Sequence, residues 1–144
     1  MSNKKINNKI VSIEKNFRQI CCKIKQKGRE ILTDFEITPP QFTALLILLE
    51  EDNLTISELS NEMYLACSTV TDLLDRMEKN ALLKRVKDEN DRRISRIKVL
   101  EKGYTVLDEV LTARRLYISE IFEEATPEEL EIVNQSFSVL NTYF

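Results

Sequence analysis

The segment Ser68-Thr-Val-Thr-Asp-Leu-Leu-Asp-Arg-Met-Glu-Lys-Asn80 decides the fold. Its apolar residues recur at the three- and four-residue spacing of one helical face, and its polar residues occupy the opposite face. The apolar face comprises Val70, Leu73, Leu74 and Met77. The pattern predicts an amphipathic helix that packs on a core through one side and leaves its other side free for a partner.

A second short helix is predicted directly upstream of this segment. In Thr55-Ile-Ser-Glu58 a hydroxyl residue precedes a carboxylate by three positions, which is the capping-box pattern of a helix start. The predicted helix runs from Ile56 to about Asn61, and a tight turn near Met63 to Cys67 joins it to the amphipathic helix. Two helices joined in this way form a helix-turn-helix, whose second helix fits a DNA major groove about 12 Å wide.

Downstream, the sequence changes to two β-branched runs. Leu82–Lys87 and Arg93–Val99 flank the polar turn composition of Asp88–Arg92, so they predict a β-hairpin. From Lys84 to Lys98, seven Lys or Arg stand against three acidic residues, a net charge of +4 in a chain whose net charge is −3. Basic charge concentrated beside a helix-turn-helix is typical of a protein that binds the phosphate backbone of nucleic acid.

This region resembles the winged-helix core of the MarR family of bacterial transcription regulators. The resemblance is carried by Ser68, Thr71, Leu74-Asp-Arg-Met-Glu78, Ala81-Leu-Leu83, Arg85, Asp91-Arg-Arg93, Leu100-Glu-Lys-Gly103 and, upstream, Ile37-Thr-Pro-Pro-Gln-Phe42. Two positions depart from the family pattern, because Ala81 stands where Gly is usual and Leu100 where Thr or Ser is usual. Ala81 therefore requires a turn without positive φ, or some strain. Leu100 removes an N-cap worth about 1 kcal/mol from the next helix.

The rest of the chain is expected to be helical. Thr38-Pro-Pro-Gln41 opens the most apolar helix, Glu101 begins a long helix, and Thr126-Pro-Glu-Glu129 opens a last one. From 144 residues we expect a single domain, 1–144. Within it the winged helix-turn-helix covers residues 36–100, and helical dimerisation parts cover residues 1–35 and 101–144. The expected fold class is mainly α with a small β-hairpin wing.

Narrow apolar seams mark both ends of the chain. In residues 6–24 the apolar positions alternate between four- and three-residue spacings, and the last helix has similar spacing. A narrow seam covers a wide core poorly, so we expect the first, fifth and sixth helices to form the layer of a homodimer, as the resemblance also implies. Packing of the first helix on its own domain is the alternative. The residues expected to dimerise are Ile10, Ile13, Phe17, Ile20, Val133, Phe137 and Leu140.

The residues expected to contact DNA lie on the second helix of the helix-turn-helix and on the hairpin. The outward-facing N-terminal turns of such a helix reach base edges and phosphates. The resemblance implies that Arg93 enters the adjacent minor groove, and that pairing with Asp91 is the alternative role of Arg76. We expect Arg92 to contact phosphate, with Lys87 and Arg85 as further anchors. The expected DNA-binding residues are Ser68, Thr69, Thr71, Asp72, Arg76, Arg85, Lys87, Arg92 and Arg93.

Composition argues against other classes of function. The chain has no His, and neither a Gly-rich phosphate loop nor a Gly-x-Ser-x-Gly elbow is found, so we expect no enzyme, catalytic residue, metal or cofactor. No apolar run approaches the roughly 18 residues of a membrane span, so we expect a cytoplasmic protein without a membrane partner.

These features predict a sequence-specific transcription regulator that binds double-stranded DNA. A two-fold homodimer implies a pseudo-palindromic operator. The resemblance implies a repressor that is released by a small aromatic or amphipathic effector. One alternative is a redox-sensing regulator acting through Cys67 or Cys21, although we expect Cys21 and Cys22 to be buried as small hydrophobic residues. The other alternative is a winged-helix protein-interaction module without DNA binding.

Overall fold

The computed structural model describes residues 6–144, which form six helices and two strands in two compact units. One unit extends to Val110, and the other is Leu111–Phe144. In chain order the elements are α1 (Asn8–Asp34), α2 (Pro39–Glu50), α3 (Ile56–Glu62), α4 (Cys67–Lys79), β1 (Leu83–Lys87), β2 (Ser95–Val99), α5 (Glu101–Ile121) and α6 (Pro127–Asn141). The predicted fold class is confirmed. Within the described residues, no helix combines the length and apolar character that crossing a membrane requires.

The helix-turn-helix is formed by α3 and α4. At the start of α3 the Thr55 hydroxyl accepts a hydrogen bond from the Glu58 N–H at 3.2 Å, and the Thr55 N–H donates to the Glu58 carboxylate at 2.7 Å. This second bond is the main reason that the pKa of Glu58 lies below its ordinary value. The predicted capping box is therefore confirmed.

The amphipathic pattern of α4 is confirmed as well. Its four apolar-face residues are buried, whereas Thr69, Asp72, Arg76 and Lys79 are exposed. The helix begins one residue before Ser68, and its N-cap residue, Ala66, supplies no side-chain hydrogen bond. The buried face packs on α3, α2 and β1.

The core of the first unit is centred on α2. Ala44, Leu45 and Leu48 are almost completely buried, and α2 contacts α1, α3, α4 and β2. It begins where the sequence predicts, and a capping box that was not predicted joins Thr38 and Gln41 at its start. This most apolar helix therefore packs against both helices of the helix-turn-helix.

The wing is an antiparallel pair in which Leu83 lies opposite Val99 and Lys87 lies opposite Ser95. β2 begins at Ser95 because the Ile94 N–H bonds to the Asp91 carbonyl at 3.0 Å, which keeps Ile94 in the turn. A short additional pairing was not predicted. The Ile97 N–H donates to the Leu54 carbonyl at 2.9 Å, and this bond joins the wing to the residues that precede α3.

Gly103 lets α5 pass close to the wing. A Cβ atom at this position would lie 2.1 Å from the Leu82 carbonyl oxygen, so any other residue would force the backbones apart. Leu107 and Val110, one and two turns later, are buried. The first compact unit consequently continues ten residues beyond Leu100, the predicted boundary of the winged helix.

Three helices end in a left-handed residue that is not Gly. Glu36, Tyr64 and Ala81 have φ values of 54°, 54° and 57°. After α4, the Ala81 N–H bonds to the Glu78 carbonyl and the Leu82 N–H to the Met77 carbonyl, both at 3.0 Å, which is the Schellman arrangement. Of the two alternatives predicted for Ala81, the structure has the strained one.

The seams at both ends of the chain are largely exposed. Ile10, Ile13 and Ile20 are about half-exposed on α1, and α6 has no buried residue. The second unit, by itself, therefore buries little apolar surface. Cys21, Cys22 and Cys67 are exposed too. The prediction that Cys21 and Cys22 are buried is wrong for the single chain, because Ile31 and Leu32 are the only residues of α1 that are buried.

The strain at Ala81 gives the first prediction. Ala81→Gly should raise the free energy of unfolding by about 0.5 to 1 kcal/mol, because relief of a left-handed residue outweighs the added entropy of the unfolded chain. Urea denaturation measures it. Asn80→Gly is the matched control, since Asn80 has a φ of −86° and no such strain to lose. If both variants are equally destabilised, the strain assigned to Ala81 is not present.

Candidate nucleic-acid interface

The outward face of α4 presents short polar side chains. Ser68, Thr69 and Asp72 are exposed, and Thr71 is half-buried with its hydroxyl donating to the Cys67 carbonyl at 2.8 Å. Arg76 is exposed further along the helix. These residues can offer hydrogen bonds to base edges, because no bulky apolar group stands between them.

The alternative pairing of Arg76 with Asp91 is not what the structure shows. Asp91 instead holds Arg93, whose Nε lies 3.2 Å from Oδ1 and whose Nη2 lies 3.3 Å from Oδ2. The hydrogen bond from the Arg93 side chain keeps the pKa of Asp91 below its ordinary value. Arg76 is consequently left at the surface of α4, and Arg93 is oriented by its own turn.

Arg85 binds the wing to α4. Its Nη2 lies 2.6 Å from a carboxylate oxygen of Asp75 and 2.6 Å from one of Glu78, and its backbone N–H donates to Glu78 at 2.9 Å. Hydrogen bonds from Arg85, the backbone one first, lower the pKa of Glu78, and the bond to Glu78 raises the pKa of Arg85. Glu78 is thus ionised at neutral pH, and its share of the stabilisation is lost only as the pH falls through that lowered pKa.

The loop between the strands is organised by Asp88. One carboxylate oxygen accepts hydrogen bonds from the Asn90 N–H at 2.8 Å and the Asp91 N–H at 3.0 Å, and the other pairs with Arg96. These contacts, led by the one with Arg96, lower the pKa of Asp88 to about 2. Arg96 also donates to the Asn53 carbonyl at 2.9 Å, so the base of the wing is tied to the loop before α3.

The cations at the wing surface differ from these two arginines. Arg92 is exposed, the Arg93 side chain is 92% exposed, and Lys87 makes only a 3.3 Å hydrogen bond to the Ser95 hydroxyl. Because Arg85 and Arg96 are partly buried against Asp75, Glu78 and Asp88, the positive charge that a partner can reach lies on the exposed side chains, among which Arg93 is paired with Asp91 at the surface. Hydrogen bonds to Asp88 order the loop that carries Arg92 and Arg93, and Lys87 lies at the end of β1.

A helix-turn-helix followed by a two-stranded wing defines a winged-helix protein. The sequence profile described as MarR family matches residues 37–95. The chain is 52% identical over 131 residues to YsmB, an uncharacterised HTH-type transcriptional regulator of Bacillus subtilis, covering 91% of this chain and 90% of that protein. It is 27% identical over 118 residues to the B. subtilis HTH-type transcriptional repressor MdtR, covering 82% of this chain and 76% of that protein.

A solved structure agrees with these sequence similarities. The structure of a MarR family protein from Bacillus stearothermophilus superimposes with a TM-score of 0.87 and 47% identity, covering 96% of this chain and 97% of that one. The chain therefore belongs to the MarR family of winged-helix regulators. It is a DNA-binding transcriptional regulator, and its relatives are regulators rather than enzymes.

Two features of the site were missed by sequence reasoning. Arg96 was counted among the basic residues of the wing, but it is an internal contact of Asp88 and Asn53. Tyr64, in the turn of the helix-turn-helix, was not singled out although it is 94% exposed. The sequence gives little indication of the role of Arg96, since its partner Asn53 lies 43 residues away. Tyr64 could have been noticed, because a large aromatic residue in a tight turn is unusual.

Replacement of Arg85 distinguishes a wing anchor from a phosphate contact. Arg85→Ala should lower the free energy of unfolding by about 1 kcal/mol, a value discounted because Asp75 and Glu78 are partly exposed. Arg85→Lys should lose most of that stability too, because an ammonium cannot reproduce the forked contact with two carboxylates. Thermal denaturation measures both. The phosphate contact would be supported instead if Arg85→Ala were as stable as the parent and bound DNA with a salt slope shallower by about 0.9, the value for one phosphate.

Proposed function

We propose that this protein is a homodimeric repressor that binds a pseudo-palindromic operator and is released by a small effector. The observation that carries the proposal is the exposed polar face of α4 beside a wing whose loop is organised by Asp88. A recognition helix can then enter the major groove while the wing reaches the neighbouring minor groove. The repressor assignment draws support from the similarity to MdtR.

Sequence is read, in this proposal, by the N-terminal half of α4. Ser68, Thr69 and Thr71 offer hydroxyls to bases and phosphates. Asp72 is exposed and acidic, so it accepts from a cytosine amino group or disfavours other bases at its position. Arg76 contacts the phosphate backbone or a guanine from its exposed position on the same helix.

The wing contributes the remaining contacts. Arg93 inserts into the minor groove, where its planar and weakly hydrated guanidinium suits the negative potential over A·T pairs. Arg92 and Lys87 contact phosphates. Arg85 is left out of this set, because both carboxylates of its contact on α4 already surround its guanidinium.

The dimer is supported by the exposed apolar seams. Ile10, Ile13 and Ile20 are exposed and Phe17 half-buried on α1; on α6, Phe137 is exposed and Val133 and Leu140 half-buried. Burying such surface is worth about 25 cal/mol for each Å² removed from water. A two-fold dimer would also place two recognition helices about 34 to 36 Å apart, one turn of DNA.

The effector proposal has one structural support. An open cleft of about 430 Å³ lies on α5 and is lined by Leu111, Ile118, Arg114 and Arg115. Its volume lies in the range of small-molecule sites. Apolar and cationic side chains together suit an amphipathic anion. An effector bound there would act by changing the separation of the recognition helices.

Exposed cysteines favour one other candidate, a redox-sensing regulator. Cys67 begins α4, and its sulfur lies 3.1 Å from the Ser60 hydroxyl, while Cys21 is exposed on α1. Oxidation of Cys67 would add bulk at the start of the recognition helix. Mass spectrometry of peroxide-treated protein with a gel shift distinguishes the candidates, since only a redox sensor would lose operator binding on oxidation of a cysteine.

The proposal is tested by selecting binding sites from random duplexes and titrating salt. We expect an operator with two related half-sites about 10 base pairs apart from centre to centre. The logarithm of the affinity should fall linearly with the logarithm of the salt concentration, with a slope near −0.9 for each phosphate contacted. A winged-helix protein-interaction module would recover no common sequence and show little dependence on salt.

Arg93 and Arg92 give a paired prediction. Arg93→Ala should cost about 1 to 3 kcal/mol of operator binding and weaken any preference for A·T pairs beside each half-site, without changing thermal stability. Arg92→Ala is the matched variant. It should weaken binding to operator and to random DNA alike. The slope of log affinity against log salt should become shallower by about 0.9, the value for one phosphate contact. Operator affinity equal to that of the parent would exclude the minor-groove role of Arg93.

The seam of α1 gives the next prediction. Replacing Ile13 and Phe17 together by Lys should produce a monomer with greatly weakened operator binding, because each half-site supplies only part of the contacts. Val11→Lys is the control, since Val11 is an exposed apolar residue that lies off the seam of the same helix. Analytical ultracentrifugation measures the mass of each variant. A double variant that still sediments as a dimer contradicts the assigned interface.

A further inference from the structure

The turn between α3 and α4 has a residue that the backbone does not favour. Tyr64 has a φ of 54°, the left-handed conformation in which a side chain is strained and Gly is preferred. Its N–H bonds to the Asn61 carbonyl at 3.1 Å, and the following Leu65 N–H bonds to the Ser60 carbonyl at 3.0 Å. This is the Schellman end of α3, where Gly is the usual residue.

Packing does not explain a tyrosine at this position either. The side chain of Tyr64 is 94% exposed, so its ring buries almost no apolar surface. Gly would therefore serve both the backbone and the solvent-exposed turn better than Tyr. Strained residues that contribute nothing to the fold are concentrated at functional sites. The side chain consequently needs a reason outside the folded chain.

The position of the turn indicates that reason. Tyr64 lies three residues before Cys67, the first residue of α4. Ser68 and Thr69, which follow at the start of that helix, are exposed. When the first turns of a recognition helix lie in the major groove, the residues leading into it pass close to the phosphates that border the groove. A tyrosine hydroxyl is a good donor to a phosphate oxygen.

We propose that Tyr64 is a further DNA-contacting residue, whose phenol O–H donates a hydrogen bond to a backbone phosphate of the operator. The proposal rests on the operator binding proposed above and adds one residue to it. The other two strained helix ends differ: Ala81 has no polar side chain, and Glu36 lies between α1 and α2 and has a carboxylate that phosphate would repel. Only Tyr64 combines the strained position with a neutral donor next to α4.

The proposal is tested on the full-length protein with the operator recovered from random duplexes. Tyr64→Phe retains the ring and removes only the hydroxyl, so operator binding should weaken about three- to tenfold while thermal stability stays that of the parent. The slope of log affinity against log salt should not change, because a neutral hydrogen-bond donor releases no counterion from the phosphate.

Tyr64→Gly separates strain from function. It should raise the melting temperature, because the left-handed backbone is relieved, and yet weaken operator binding at least as much as Tyr64→Phe. Glu36→Gly is the matched control, since it relieves the same φ of 54° at a distant helix end. That variant should be stabilised and bind the operator like the parent.

The outcomes separate the two proposals. Equal operator affinity of Tyr64→Phe and the parent overturns the phosphate contact of Tyr64 alone, even if Tyr64→Gly binds weakly. A parent protein that selects no duplex overturns operator binding itself, and the Tyr64 assignment falls with it. Weaker binding of Tyr64→Phe at an unchanged salt slope and melting temperature supports the assignment.

Discussion

The contact of Arg85 with Asp75 and Glu78 is the interaction on which the geometry of the interface depends. Arg85 lies on β1, and both carboxylates lie on α4, so a single guanidinium joins the wing to the recognition helix at 2.6 Å from each partner. A second arginine, Arg96, joins the other edge of the wing to the loop before α3. With both contacts made, a wing of two five-residue strands is held in one orientation. A two-stranded hairpin by itself is only marginally stable in water, so these contacts matter to its order.

Charge in this region is divided into two kinds. Arg85 and Arg96 are partly buried against carboxylates and serve the structure, whereas Arg92, Arg93 and Lys87 are exposed, with Arg93 paired to Asp91 at the surface of its own turn. The net charge of +4 counted from Lys84 to Lys98 does not show this division, because it counts Arg85 in full although its partners Asp75 and Glu78 lie on α4, outside the counted stretch. For this reason composition locates the basic region correctly but does not identify the residues that face DNA. The carboxylates that surround an arginine in the folded chain decide that.

Local signals explain which parts of the fold could be predicted. The capping boxes at Thr55 and Thr126 are formed by residues three apart and are present as predicted, and the helix opened by Thr38 has one as well. The buried face of α4 follows from periodicity within 13 residues. The pairing of Leu54 with Ile97 could not be predicted, because it joins distant residues and no hydrophobic alternation marks so short a strand. Exposure of Cys21 and Cys22 was misjudged for a related reason, since burial on a helix depends on which neighbour covers it.

Glycine scarcity connects stability with function in this chain. The sequence has two glycines, and neither lies at a left-handed helix end; Gly103 is needed instead where α5 crosses the Leu82 carbonyl. The helix ends at Glu36, Tyr64 and Ala81 therefore carry side chains in a conformation that stabilises Gly relative to other residues. Natural proteins retain such costs when selection acts on function rather than on maximal stability. Two of these ends flank the recognition helix, Tyr64 before it and Ala81 after it, so replacing both by Gly would make the turns easier to form and also more flexible. Because a recognition helix must meet its groove in one orientation, side chains that restrict these two turns can favour binding even while they lower the free energy of unfolding.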